Sequence, residues 1–120
     1  MSAARAALVA GALTLAAAPP AVPHSLLLDA SPAPNATLAA APSRLVLRFN
    51  NRIEAALSRV RLVDELGRVH ALTVLVTDTG PDRLTAAVPA LQPGRWRVEW
   101  QVLSTDGHVV SGTFTFRLAP

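Results

Sequence analysis

The sequence predicts an all-β fold: an antiparallel Greek-key β-barrel or sandwich of about seven strands, Ig-like in organisation. Three observations carry this expectation. From His24 onward apolar residues recur at every second position in short runs, the period of half-buried strands. The runs are separated by Pro, Gly, Asn and Asp, the residues of turns. Helical periodicity is almost absent.

Residues 26–29 open the first strand, which ends at Ser31-Pro32-Ala33-Pro34-Asn35. Residues 44–50 place Leu45, Leu47 and Phe49 on one face. Residues 59–63 alternate Val60 and Leu62 against Arg59 and Arg61, and Asp64-Glu65-Leu66-Gly67 turns the chain into a further strand over 68–76. After a turn at 77–82, residues 83–88 resume with Leu84, Ala86 and Val88 in register. The strongest pattern spans 94–103, where Trp96, Val98, Trp100 and Val102 alternate with Arg95, Arg97, Glu99 and Gln101, so both tryptophans are expected in the core. The last strand, 111–118, points Phe114, Phe116 and Leu118 inward. Residues 36–41 and 54–58 could each form a helical turn.

The 120 residues suffice for one domain. Arg5, the uncharged apolar run 6–18 and the breaker-rich Pro19-Pro20-Ala21-Val22-Pro23 have the layout of an export signal. The expected division is therefore a removed signal over 1–23 and one β domain over 24–120. The run is shorter than the ~20 residues of an ordinary membrane span; an uncleaved anchor is the other reading. Cysteine is absent and Met1 is the sole methionine, which excludes thiolate and thioether metal sites. The basic residues are eleven arginines against eight acids. They lie scattered along the sequence, without the basic patch and neighbouring aromatics of a nucleic-acid site, and read as polar outer faces of strands.

Asp106-Gly107-His108, between the last two strands, is the chemically distinctive segment. In extended backbone, residues two apart project to one side, and Gly107 permits a bend. A carboxylate and an imidazole so placed favour copper(II) or zinc over magnesium or calcium; the plain alternative is a turn with a capping Asp and a solvated His. A chain beginning at His24 would add an α-amine and an imidazole, giving three nitrogens and an oxygen, a set suited to tetragonal copper(II). His70, with no partner at ligand spacing, reads as a surface or edge histidine.

Several pieces resemble one family: His24-Ser25-Leu26 leading to Ser31-Pro32, Leu47-Arg48-Phe49, residues 56–62 before Gly67-Arg68-Val69, and Leu91-Gln92-Pro93-Gly94 through Trp100 to Ser104-Thr105-Asp106-Gly107-His108 and Ser111-Gly112-Thr113-Phe114. The chain resembles the CopC family of periplasmic copper-binding proteins. The resemblance implies a Greek-key β-barrel and one copper(II) per chain, held by His24, Asp106 and His108. It also implies sequestration or carriage of copper for homeostasis or resistance rather than catalysis, and a possible inner-membrane partner of the CopD type. The absence of methionine beyond Met1 matches the copper(II)-only branch. Asn50-Asn51 stand where relatives often carry an acidic residue, so an auxiliary carboxylate is missing. A monomer without nucleic acid is expected. Two other functions remain open at this point: a metal-free β-sandwich interaction module, and a copper oxygenase with an N-terminal histidine brace.

Overall fold

The computed structural model describes residues 26–77 and 79–120. The predicted signal and His24 lie outside them. Nine strands form among the described residues: β1 (Leu27–Ser31), β2 (Thr37–Leu38), β3 (Arg44–Phe49), β4 (Arg59–Val63), β5 (Val69–Ala71), β6 (Thr73–Leu75), β7 (Arg83–Ala87), β8 (Gly94–Leu103) and β9 (Val109–Leu118). They make a four-stranded sheet, β1-β3-β7-β6, and a five-stranded sheet, β2-β9-β8-β4-β5. The sandwich half of the fold expectation therefore holds, while the sheets stay open rather than closing into a barrel. All pairings are antiparallel except β2 with β9.

The core lies between the sheets, where the period-two pattern puts it. Leu45, Leu47 and Phe49 face it from β3, Val60 and Leu62 from β4, and Trp96, Val98, Trp100 and Val102 from β8. Trp96 and Trp100 are only 5% and 8% exposed. Burying a large apolar side chain contributes roughly 1.5–3 kcal/mol, so this alternation supplies the main drive for the two sheets to pack. Phe49 and Trp100 meet edge to face, with centroids 5.1 Å apart.

Two expected elements differ. The strand expected over 68–76 divides at Leu72 into β5 and β6, which belong to opposite sheets; Leu72 donates its N–H to Val60 O and packs on the core. The helical turn expected over 36–41 is instead β2, held beside the end of β9. The other expected helical turn is present as a single 3-10 turn, Ala55–Leu57.

The β4–β5 hairpin is closed by Asp64. Its Oδ1 accepts the N–H groups of Leu66 and Arg68, and its Oδ2 takes the Arg68 guanidinium at 2.8 Å and lies 3.2 Å from His70 Nε2. Burial opposes ionisation of Asp64. The hydrogen bonds from Arg68, His70 and Leu66 outweigh it and hold the carboxyl well below the usual carboxylate range.

Candidate metal centre

The hairpin of β8 and β9 pairs over ten residues, from Gly94 with Leu118 to Leu103 with Val109. Residues 104–108 close it. Gly107 N–H donates to Ser104 O at 2.9 Å and Ser104 N–H to His108 O at 2.8 Å, while Gly107 takes φ +89°, a left-handed conformation that glycine adopts without strain. The turn brings Asp106 and His108 together. Asp106 Oδ1 accepts the His108 backbone N–H at 3.1 Å and lies 3.3 Å from His108 Nδ1. Both side chains are open to solvent, at 44% and 59%.

Two ligands of one ion, each bonded at about 2.0–2.1 Å, stand roughly 3 Å apart when adjacent in the coordination sphere. The separation of Asp106 Oδ1 and His108 Nδ1 fits that requirement. The capping hydrogen bond fixes the carboxylate relative to the backbone of the histidine. Both the metal-ligand reading and the capping reading of Asp106 describe this turn, and they do not exclude each other. Among the described residues no group of three or more His, Cys, Asp or Glu side chains forms.

The start of the described chain is pinned on the same rim. Leu26 N–H donates to Asn50 Oδ1 at 2.7 Å, and Asn50 N–H returns to Leu26 O at 3.0 Å. The segment after Asn50 then crosses to the Asp106–His108 turn: Thr105 N–H donates to Arg52 O at 3.3 Å, Ile53 bridges Ser104, and Glu54 N–H donates to Leu103 O at 2.8 Å. Next to this anchor, Arg48 binds Asp29 Oδ2 through Nε at 2.9 Å and through its terminal nitrogen at 2.6 Å, tying β1 to β3. Sequence reasoning treated Asn50 only as the place of a missing carboxylate. Its side chain is instead the acceptor that fixes the chain two residues after His24; an acceptor-bearing residue at a strand end was the only signal for it.

His70 takes the edge position expected of it. It sits on the edge strand β5, half-buried, with its ring against Asp64 and edge to face with Trp96 at 5.4 Å.

The family model of the CopC domain matches residues 27–119. The chain belongs to the CopC family. Protein YobA of Escherichia coli is 32% identical over 96 residues, covering 78% of this chain and 77% of that protein. Copper resistance protein C of Pseudomonas syringae pv. tomato is 28% identical over 102 residues, covering 79% and 80%. Among solved structures, CopC from Methylosinus trichosporium OB3b superposes with a TM-score of 0.73 at 36% identity, over 81% of this chain and 95% of that one. The match spans both sheets and the hairpin turn that bears Asp106 and His108, so the turn is part of the CopC domain rather than an appendage to it.

Proposed function

We propose that this CopC-family chain is an exported copper(II)-binding protein that sequesters or carries the ion in the periplasm. One copper(II) per chain is held by His24, Asp106 and His108, with residues 1–23 removed as the export signal. The observation that carries this reading is the shared rim. The Asp106–His108 pair stands in ligand geometry, and Leu26 is pinned by Asn50 beside the segment that touches the same turn. His24 stands two residues before this anchor, and two residues extend up to about 7 Å from it. The names of the relatives, a copper resistance protein and CopC itself, agree with copper as the ion.

The donor chemistry points the same way. An imidazole, a carboxylate and an N-terminal histidine suit tetragonal copper(II), and the chain has no thiolate or internal thioether for copper(I). The protein acts as a carrier rather than an enzyme, as a monomer, with a CopD-like membrane transporter as recipient or donor of the ion.

The test is intact mass of the exported protein with and without one equivalent of copper(II), together with its paramagnetic resonance spectrum. The expected result is a chain starting at His24 with a single tetragonal copper signal, lost in His108→Ala. A start at another residue with stoichiometric copper retained would remove the His24 α-amine from the site. Absence of any stoichiometric copper would overturn the reading in favour of a metal-free interaction module.

A further inference from the structure

The arginines that lie scattered in the sequence are gathered by strand parity. Arg59 pairs with Gln101 and Arg61 with Glu99 across β4 and β8, while Arg97 pairs with Thr115 and Arg95 with Arg117 across β8 and β9. Residues paired in register project to one side, so five arginines share the outer face of the five-stranded sheet, all of them exposed. One carboxylate stands among them: Glu99, shared by Arg61 at 2.8 Å and Arg97 at 3.4 Å. With Glu65, whose carboxylate sits at the Arg95 backbone, five guanidiniums stand against two carboxylates, so this one face carries as much positive charge as the +3 of the entire chain.

Arg95 and Arg117 are directly opposite each other, an arrangement that costs stability for like charges. Three arginines elsewhere have acids beside them: Arg48 with Asp29, Arg68 with Asp64 and Arg83 with Asp82. No such ion pair forms at Arg95 or Arg117 among the described residues; the nearby Glu65 instead accepts the Arg95 backbone N–H at 2.7 Å. Between the two arginines is a polar recess of about 120 Å³, lined also by Asn35, Thr37 and Thr115.

We propose that this face docks on the anionic headgroups of a phospholipid surface, with the Arg95–Arg117 recess seating one headgroup phosphate. Charge complementarity and the chemistry of the face carry the choice. From Arg95 to Gln101 and from Ser111 to Arg117 the outward residues of β8 and β9 are Arg, Glu, Gln, Ser and Thr; the outward apolar pair, Leu103 and exposed Val109, lies at the far end from the recess. A specific protein interface needs buried aromatic or aliphatic anchors, whereas a headgroup layer needs charge and hydrogen-bond donors. The recess lies at the opposite end of the hairpin from Asp106 and His108, roughly 30 Å away at the rise of a β-strand, so docking leaves the metal-side turn free.

The test is co-sedimentation of the full chain with phosphatidylcholine vesicles and with vesicles containing one third phosphatidylglycerol. Binding through the apolar run near the N-terminus would be common to both kinds, so the readout is the ratio of the two partition constants. Each arginine at an anionic surface contributes roughly a fivefold gain. Arg95→Gln with Arg117→Gln is expected to lower the ratio by roughly twentyfold, while the charge-matched Arg44→Gln with Arg83→Gln, on the other sheet, leaves most of it. Inorganic phosphate in place of vesicles separates a headgroup seat from a free-phosphate site. A ratio near one for the unaltered chain overturns the proposal. So does an equal loss in both double variants, or saturable binding of phosphate with no preference for anionic vesicles. Circular dichroism of each variant verifies the fold.

Discussion

Trp100 occupies the space that a side chain at Gly112 would need. The two residues are cross-strand partners on β8 and β9, and a Cβ added to Gly112 would lie 2.5 Å from Cζ2 and 2.8 Å from Cε2 of the indole. The ring cannot withdraw freely, because its other neighbour is Phe49 in the core. Gly112→Ala is therefore expected to destabilise the protein by about 1–3 kcal/mol through overpacking. Urea denaturation followed by tryptophan fluorescence measures this; an unchanged midpoint would show that the indole relocates without cost.

Asp106 and His108 act as separate donors to one ion in the proposed site, so each should matter alone. Asp106→Asn and His108→Ala are each expected to weaken copper(II) binding by about a hundredfold or more, at or beyond the upper range for residues that only support a ligand. Competition against a chelator of known affinity gives the values. Asp106→Asn retains an oxygen for the His108 backbone N–H, and so separates loss of charge at the ion from loss of the turn.

Asn50 positions Leu26, two residues after His24. Asn50→Ala removes the acceptor for Leu26 N–H, a bond worth about 0.5–1.5 kcal/mol. The expected loss in copper(II) affinity is roughly threefold to tenfold, with rescue by Asn50→Asp, which keeps an oxygen in place. Equal affinities for all three chains would detach the N-terminal segment from the site.

Asp64 sets the acid side of stability. Its folded carboxyl titrates below the unfolded value of about 3.9, so in the window between the two the unfolded chain binds more protons and stability rises with pH. The contribution is present above pH ~4 and is lost as pH falls toward the folded value. Denaturation series between pH 5 and 2 should show a shallower acid slope for Asp64→Asn than for the parent chain; identical slopes would mean other carboxylates control acid unfolding.

Copper(II) binding should weaken with acid over a higher range. Imidazole and amine donors must lose protons to bind, and an unperturbed histidine titrates near 6.5. Affinity is expected to fall steadily from pH 8 to pH 5 in titrations monitored by Trp100 and Trp96 fluorescence. A flat profile would exclude nitrogen ligation.

The strands that bury one face were legible because alternation is a local signal: Trp96, Val98, Trp100 and Val102 sit in the core as their spacing requires. The break at Leu72 was not, because His70, Leu72 and Val74 keep inward parity through the corner where the chain changes sheets. β2 is only two residues long and is defined by its distant pairing with β9, so an alanine-rich segment read locally suggests a helical turn instead. For the site, Asp106 and His108 were visible through their spacing with Gly107. The anchoring of Leu26 by Asn50 was invisible, since a contact across 24 residues leaves no periodic trace. The same limit hid the basic face: residues such as Arg61 and Arg97 look dispersed until register sets them side by side.

The metal-side turn belongs to the most local part of the fold, the long β8–β9 hairpin, whereas β1 reaches the same rim by pairing with β3. An ion held by His24 with Asp106 and His108 would be a clasp between the first strand and the last hairpin, shutting a loop that takes in nearly the whole domain. Closing so long a loop removes freedom mainly from the unfolded chain, and ligand that binds only the folded form adds to stability by mass action. Loading the carrier would then also lock it, and releasing its cargo would loosen the first strand, so a recipient could read occupancy from how firmly the chain's beginning is held.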